Sequence, residues 1–417
     1  MHILFLTDNF PPEVNAPASR THEHCRRWVQ AGHRVTVITC VPNFPTGKVF
    51  DGWRNKPWQT SEVDEIRVIR VWSYITANEG FLRRVLDYLS YMFTATLASL
   101  FVRRVDVVVG TSPQFFTAVA GWAVGAMKRV PFVFELRDLW PESIKAVGAM
   151  SNLRVLGVIE KLELFLYRRA ARIVSVTHSF RRTLGLRGID VDKIAVVTNG
   201  VDIARFTPRQ KDEGVLRALG LQDRFVAGYI GTHGMAHGLD TLLRAAAILK
   251  SRPEAARICL LLLGDGARKA ELQAEARRLD LDNVVFVDSV PKHQVVNFWS
   301  VLDVSIIHLR RTELFTTVIP SKMFECMGMG IPILHGVAGE SADIVRREGV
   351  GCIFEPESAG ELADQLLRMM NDPSALAGYR ARCLDSARHY DRSMLADKML
   401  AVIASAIPGT ERPRTNT

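Results

Sequence analysis

At 417 residues with 48% apolar content, the chain can fill two hydrophobic cores and is too long for one ordinary domain, which excludes a disordered or fibrous protein. The formal charge of +9 sits wholly in the first half: residues 1–205 hold 27 Lys and Arg against 18 Asp and Glu, whereas residues 206–417 hold 26 against 26. A basic half selects an anionic partner, and because no helix-turn-helix, RNP-type or zinc-finger pattern accompanies it, a membrane surface or an anionic substrate is expected rather than nucleic acid.

The N-terminus, Met1-His2-Ile3-Leu4-Phe5-Leu6, reads directly as a strand and lacks the basic start, long apolar stretch and cleavage site of a signal peptide, so the chain is expected to stay in the cytoplasm. Apolar runs predict further strands at Arg34–Thr39, Ile66–Val71, Val105–Val109, Pro131–Glu135, Ile173–Val176 and Ile194–Val197, with helical stretches between most of them. One of these stretches, residues 81–104, carries Arg83-Arg84 and Arg103-Arg104 at its ends and Tyr88 and Tyr91 near one of them. Asp87 and four Ser/Thr residues argue against a transmembrane span. Two readings stay open, a buried helix of an α/β domain and a partly exposed helix docking at a lipid-water boundary.

Near Asn199-Gly200-Val201-Asp202 a strand ends in a turn and polarity rises, which predicts domains at 1–205 and 206–407, the last helices packing back on the first domain, and a disordered tail at 408–417. The second half repeats the alternation, with strands expected at Phe225–Ile230, Ile258–Leu263, Val284–Val287, Val304–Ile307, Ile331–Leu334 and Gly351–Phe354. Alternating strands and helices make the fold class α/β with mostly parallel sheets. Six scattered cysteines without CxxC spacing read as reduced core residues.

The segment from Pro320 to Ile333 carries the chemistry. Ser321 and Lys322 open a short helix whose first-turn amides and partial positive charge suit a diphosphate, and Glu325 one turn later can accept from a ribose diol. The plain alternative is an αβ unit in which Gly330-Ile331-Pro332 only stops a helix and starts a strand.

The motifs Phe10-Pro11-Pro12-Glu13, Gly32-His33-Arg34-Val35-Thr36-Val37-Ile38-Thr39, Val197-Thr198-Asn199-Gly200-Val201-Asp202 with Phe206 and Pro208, Gly264-Asp265-Gly266, Leu302-Asp303-Val304 and the Glu325 segment stand in a fixed order. In this order and spacing the sequence resembles glycosyltransferase family 4 over nearly its whole length. The resemblance implies a GT-B fold of two facing Rossmann-like domains, the first binding acceptor at a membrane and the second binding a nucleotide-sugar. It implies transfer from a UDP-sugar to a polyprenyl-diphosphate-linked saccharide, with anomeric retention, no metal and no other cofactor. Pro42-Asn43-Phe44-Pro45-Thr46-Gly47-Lys48, Arg137-Asp138-Leu139-Trp140-Pro141-Glu142 and Pro320-Ser321-Lys322 are similar to the bacterial N-acetyl-L-fucosamine transferases of O-antigen, lipopolysaccharide and capsule synthesis.

Two departures from the family pattern stand out. The first carboxylate of its Glu-x7-Glu is Thr317 here, and the Arg and Lys that follow the first strand of its second domain are Thr232 and His237, in the run from Gly231 to Gly238. Leaving-group charge then falls to Lys322, helix amides, and a protonated His237 or an Arg such as Arg310. The resemblance further assigns Gly231, Thr232, Val290, Glu13, Asn15 and Thr317 to the nucleotide-sugar. Asp138 is either a holder of sugar hydroxyls beside Arg137 or the cap of a turn. Asp190-Val191-Asp192 and Asp280-Leu281-Asp282 match a manganese-binding Asp-x-Asp but read as solvated turns. The alternatives are a UDP-sugar 2-epimerase and a catalytically weakened sugar-nucleotide-binding partner protein.

Overall fold

The computed structural model describes residues 1–44, 46–76, 81–139, 153–291 and 293–409. The chain divides into two compact units, Met1–Thr198 joined by the C-terminal segment from Arg392, and Asn199–Asp391. The crossing at Thr198 and Asn199 lies seven residues before the rise in polarity that suggested 205. The reason is local: the Val201 N–H donates to the Tyr390 carbonyl (2.9 Å), and the Val201 side chain packs in the second unit's core.

The first unit contains β1 (His2–Leu6), β2 (Arg34–Cys40), β3 (Trp58–Val63), β4 (Ile66–Val71), β5 (Val107–Thr111), β6 (Phe132–Leu136), β7 (Arg172–Ser175) and β8 (Ile194–Val196). These form one sheet in the order β3-β4-β2-β1-β5-β6-β7-β8. Pairing is parallel throughout, Ile3 lying opposite Val35 on one side and Val107 on the other, except that β3 and β4 form an antiparallel hairpin. The sequence reading missed β3 because Trp-Gln-Thr-Ser-Glu-Val is a polar edge strand without an apolar run, and because its turn uses Asp64 and Glu65 at positive φ instead of glycine.

Helices α1 (Ala16–Gln30), α2 (Phe81–Leu100), α3 (Phe115–Lys128), α4 (Leu153–Arg169) and α5 (His178–Leu186) cover this sheet. Asn15 caps α1 by accepting from the Ala18 N–H (2.8 Å). Helix α2 is neither wholly buried nor wholly exposed: it buries Tyr91, Ala95, Ala98 and Ser99 while Leu86, Phe93, Leu97 and Leu100 remain exposed along another face. Among the described residues no helix is long and apolar enough to cross a membrane.

The second unit contains β9 (Phe225–Ile230), β10 (Ile258–Leu263), β11 (Val284–Val287), β12 (Val304–His308), β13 (Ile333–Gly336) and β14 (Gly351–Ile353), all parallel, in the order β11-β10-β9-β12-β13-β14. Runs such as Ile258-Cys259-Leu260-Leu261-Leu262-Leu263 are buried on both faces, as parallel strands require. The covering helices are α6 (Glu213–Ala218), α7 (Asp240–Lys250), α8 (Lys269–Arg278), α9 (Val295–Ser300), α10 (Lys322–Met329), α11 (Glu340–Glu348), α12 (Ala359–Asn371) and α13 (Pro373–His389). The final helix, α14 (Arg392–Ala404), belongs to the first unit, where Leu395, Met399 and Ile403 pack against Trp28 and Val35 and the Trp28 indole donates to the Ala396 carbonyl (2.8 Å).

Candidate functional site

In the second sheet the chain runs outward from β9 through β10 to β11, then returns to β12 and runs outward the other way. The strand order therefore reverses between β9 and β12, and their carboxyl ends border the crevice where open α/β sheets take ligands. Gly231-Thr232-His233 follows β9, Gly264-Asp265-Gly266 follows β10 and Leu309-Arg310 follows β12.

Lys322, the first residue of α10, reaches back to the end of β9. A β-carbon on Gly231 would lie 2.5 Å from its Nζ and displace the ammonium, and Gly231 has φ +148°, a backbone conformation that favours glycine. The Nζ stands 3.8 Å from the centroid of the Tyr229 ring. It is shielded from water and has no hydrogen-bond partner among the described residues. Desolvation lowers the Lys322 pKa to about 8, against the opposing pull of Cys326 and Glu325.

Two imidazoles share the recess. His237 meets the Tyr229 ring edge-on at 6.0 Å and His233, fully buried, lies 6.1 Å from it. Among the described residues neither His233 ring nitrogen has a partner, nor does His237 Nδ1. Burial first, then Lys322 for His237 and Lys269 with Lys322 for His233, push both to about 4. Both are neutral at pH 7, which corrects the expectation of a protonated His237: loss of water and the neighbouring ammonium hold the proton off.

Arg310 does not fill the gap either. Its guanidinium is committed to Asp240 (3.0 Å), Glu357 (3.3 Å) and the Met235 carbonyl (2.9 Å). The helix amides are also partly consumed, since Met323 N–H and Phe324 N–H donate to the Pro320 and Ser321 carbonyls at 3.0 and 3.1 Å. Among the described groups at this edge, positive charge without an acid partner thus concentrates on Lys322. The loop that carries His237 is clamped by His308, whose Nδ1 donates to the His237 carbonyl (2.7 Å) while its Nε2 accepts from the Glu357 N–H (2.9 Å). That pair of bonds fixes the neutral tautomer.

The remaining candidates occupy other places. Glu325 lies one turn along α10 and is part-exposed. Thr232 is exposed, and its carbonyl accepts from the Tyr229 hydroxyl (2.9 Å). Ser321 precedes α10 without a side-chain capping bond. Thr317 ends a 3-10 turn and donates to the Leu314 carbonyl (2.7 Å), and Val290 packs against the hydrophobic core beyond β11.

Glu13, Asn15 and Asp138 belong to the first unit. Asn15 spends its side chain on the α1 cap and on Asn9, so its expected contact with the donor competes with a structural duty. Glu13 is buried and accepts from the Asn43 and Phe44 amides at 2.8 and 2.9 Å, organising that loop. The amides of Arg137 and Asp138 both donate to Ser112 Oγ at the end of β5 (2.8 and 3.2 Å). Pro45 and residues 140–142 of the narrower motifs lie outside the described residues. Asp190 accepts from the Asp192 N–H in a turn, and Asp280 and Asp282 pair with Lys250.

The model of the Glycosyl transferase 4-like domain matches residues 15–200, and that of Glycosyl transferases group 1 matches residues 224–372. The chain belongs to glycosyltransferase family 4. Along its length this glycosyltransferase is 28% identical over 409 residues to D-inositol 3-phosphate glycosyltransferase 1 of Catenulispora acidiphila, covering 93% of this chain and 90% of that one. It is 24% identical over 405 residues to WcaI of Escherichia coli K12, assigned as a colanic acid biosynthesis glycosyl transferase, covering 92% and 97%. Its fold is GT-B: Anabaena HepE in complex with UDP-glucose superposes with a TM-score of 0.70 at 16% identity over 97% of this chain and all of that one. WaaG, a glycosyltransferase of lipopolysaccharide biosynthesis, does so at 0.68 and 15%, over 98% of this chain and all of that one.

Within this glycosyltransferase, sequence reasoning missed Tyr229, His233 and His308. Tyr229 and His308 sit in strands that read only as core. His233 carried a signal, a histidine between Gly231 and Gly234 directly after a strand, where backbone meets ligand.

Proposed function

We propose that this glycosyltransferase binds a UDP-sugar in its second unit and transfers the sugar, with retention, to a polyprenyl-diphosphate-linked saccharide at the inner face of the plasma membrane, in cell-surface polysaccharide synthesis. The observation that carries the reading is the Lys322 ammonium, buried and unpartnered at the carboxyl end of β9. A cation taken out of water without an acid beside it calls for an anion. The diphosphate of a departing UDP is such an anion, and its charge grows as the glycosidic bond breaks. The fold shared with HepE, whose structures hold UDP and UDP-glucose, supports a nucleotide-sugar donor.

In this reading Glu325 accepts from the ribose diol and Asp138 orients a sugar hydroxyl. The leaving phosphate takes the acceptor proton on the same face, so the protein supplies position and charge without a covalent intermediate. Thr317 in place of a carboxylate leaves a less polar wall beside the sugar, which suits a deoxy-acetamido hexose such as N-acetyl-L-fucosamine. For the membrane, the exposed residues Leu86, Phe93, Leu97 and Leu100 of α2 continue into Phe101, which is 75% exposed and meets Trp58 edge-on. Arg83, Arg84, Arg103 and Arg104 flank them, an apolar face with basic ends that matches an anionic lipid surface.

The test is mass spectrometry of the lipid product formed from a panel of UDP-sugars and polyprenyl-diphosphate-linked acceptors on anionic vesicles. The reading expects a glycolipid made best from a UDP-deoxy-acetamido sugar, with Thr317→Glu narrowing its lead over UDP-glucose. Changing the four flanking arginines to glutamate is expected to release the folded protein from vesicles. Turnover of UDP-sugar without acceptor would make the protein an epimerase, and binding without any product a partner protein.

A further inference from the structure

We propose that Tyr229 is a positioning residue for the transfer, its ring face holding the Lys322 ammonium at the end of β9 before the diphosphate arrives. The inference rests on the reading that Lys322 meets the UDP diphosphate, and adds how an otherwise unpartnered cation stays in place.

Three observations meet on this ring. The ammonium sits 3.8 Å from the ring centroid, well inside cation–π range, and makes no hydrogen bond among the described residues. The ring is itself fixed: Tyr229 is fully buried in β9, hydrogen-bonded between β10 and β12, and its hydroxyl donates to the Thr232 carbonyl in the loop just beyond the strand. Finally, Gly231 leaves room for the ammonium over the ring, because a β-carbon there would lie 2.5 Å from Nζ and push it out of this position.

An acid in the place of Tyr229 would neutralise the lysine and compete with the diphosphate. An aliphatic side chain would leave a desolvated cation with nothing to hold it, and the lysine would shed its proton or swing away. The negative face of an aromatic ring attracts the ammonium without satisfying its hydrogen-bond donors, which remain available to phosphate oxygens. The neutral rings of His233 and His237, packed around the same tyrosine, add no competing anion. Preorganisation of this kind removes the reorganisation that would otherwise accompany charge development on the leaving group.

The test is UDP binding by calorimetry as a function of pH, in the full chain, for Tyr229→Phe, Tyr229→Leu, and a series carrying phenylalanine with increasing ring fluorination at 229. Fluorination keeps the shape and weakens the negative face, so the series remains readable even where Tyr229→Leu does not fold. Tyr229→Phe is expected to bind like the parent. The most fluorinated ring and Tyr229→Leu are expected to bind UDP about five- to thirty-fold more weakly near pH 8, the scale of a desolvated cation–π contact. In these variants the alkaline loss of affinity is also expected to begin at lower pH than in the parent. Equal affinity and an equal pH profile for the plain and the fully fluorinated ring would overturn the inference. Lys322→Met separates the two claims: if it loses UDP affinity while the fluorinated series does not change, Tyr229 is only core and the diphosphate reading stands. If Lys322→Met binds UDP like the parent, the diphosphate reading itself is wrong.

Discussion

The carboxyl ends of β1 and β9 occupy the same topological place in their two sheets, next to the strand where the order reverses, yet their chemistry is opposite. After β1 the groups are acids. Burial first, then Asp87 and Glu13, pushes Asp8 up to about 8, and burial pushes Asp87 on α2 up to about 7. After β9 the groups are bases, and burial holds Lys322 down to about 8 and both histidines down to about 4. One recess holds carboxyls that keep their protons to near neutrality, suited to sharing hydrogen bonds with hydroxyls and hostile to a diphosphate. The other holds the Lys322 ammonium, which among the described residues has no acid partner. The doubly wound sheet supplies such a strand-order reversal twice, and the side chains at the strand ends set which of the two suits an anion.

The sharpest way to break this contrast is Lys322→Met. If the second recess works through that one charge, sugar transfer falls about 10²–10³-fold, as on removal of a preorganised transition-state donor, and single-turnover kinetics put most of the loss in the chemical step. A loss confined to UDP affinity would reduce Lys322 to an anchor. Next in size, Glu325→Ala is expected to weaken UDP binding by about 1.5–3 kcal/mol, the scale of hydrogen bonds to a charged acceptor, and unchanged calorimetric affinity would remove Glu325 from the ribose.

The acidic recess is tested by Asp8→Asn, with the sign set by linkage. The unfolded chain releases the Asp8 proton from about pH 3.8 upward, whereas the folded chain keeps it to about 8. Stability therefore declines with rising pH across that window, and a variant without the ionisable group escapes the decline. The melting temperature of Asp8→Asn is expected to gain steadily on the parent between pH 5 and pH 8, because a carboxyl pKa raised from 3.8 to about 8 is worth about 3–4 kcal/mol across those pH values. A gap that does not widen with pH would mean that Asp8 ionises normally. The smallest effect is Asn15→Ala, which removes a helix cap: about 1 kcal/mol of stability is lost, with UDP affinity unchanged. A fall in UDP affinity would return Asn15 to the donor site.

Most strands were legible because parallel strands buried on both faces must be continuous apolar runs, and Ile258–Leu263 or Phe225–Ile230 can be read without any partner in view. The edge strand β3 escaped for the converse reason, as a solvent-exposed edge needs no apolar pattern. At the candidate site, the placing of Lys322 and Glu325 one turn apart on a single helix was legible because it follows from neighbours in sequence. The replacement for the missing basic residues after β9 was not. His237 and Arg310 had the right residue types and the right neighbourhood, but desolvation removed the charge of one and Asp240 with Glu357 took up the other.

By itself the sequence determined the α/β alternation, the basic first half and the helix that bears the nucleotide candidates, since each follows from composition, period or spacing along the chain, and its motifs carried the resemblance to the family. Only the tertiary structure decided that the Lys322 ammonium lies beside Gly231, ninety-one positions earlier in the chain, and that a strand tyrosine lies beneath it. It also decided which charges are free to act. Charge is a local property of a residue, but desolvation and pairing are set by whatever the fold packs around it, and no spacing rule along one chain records that.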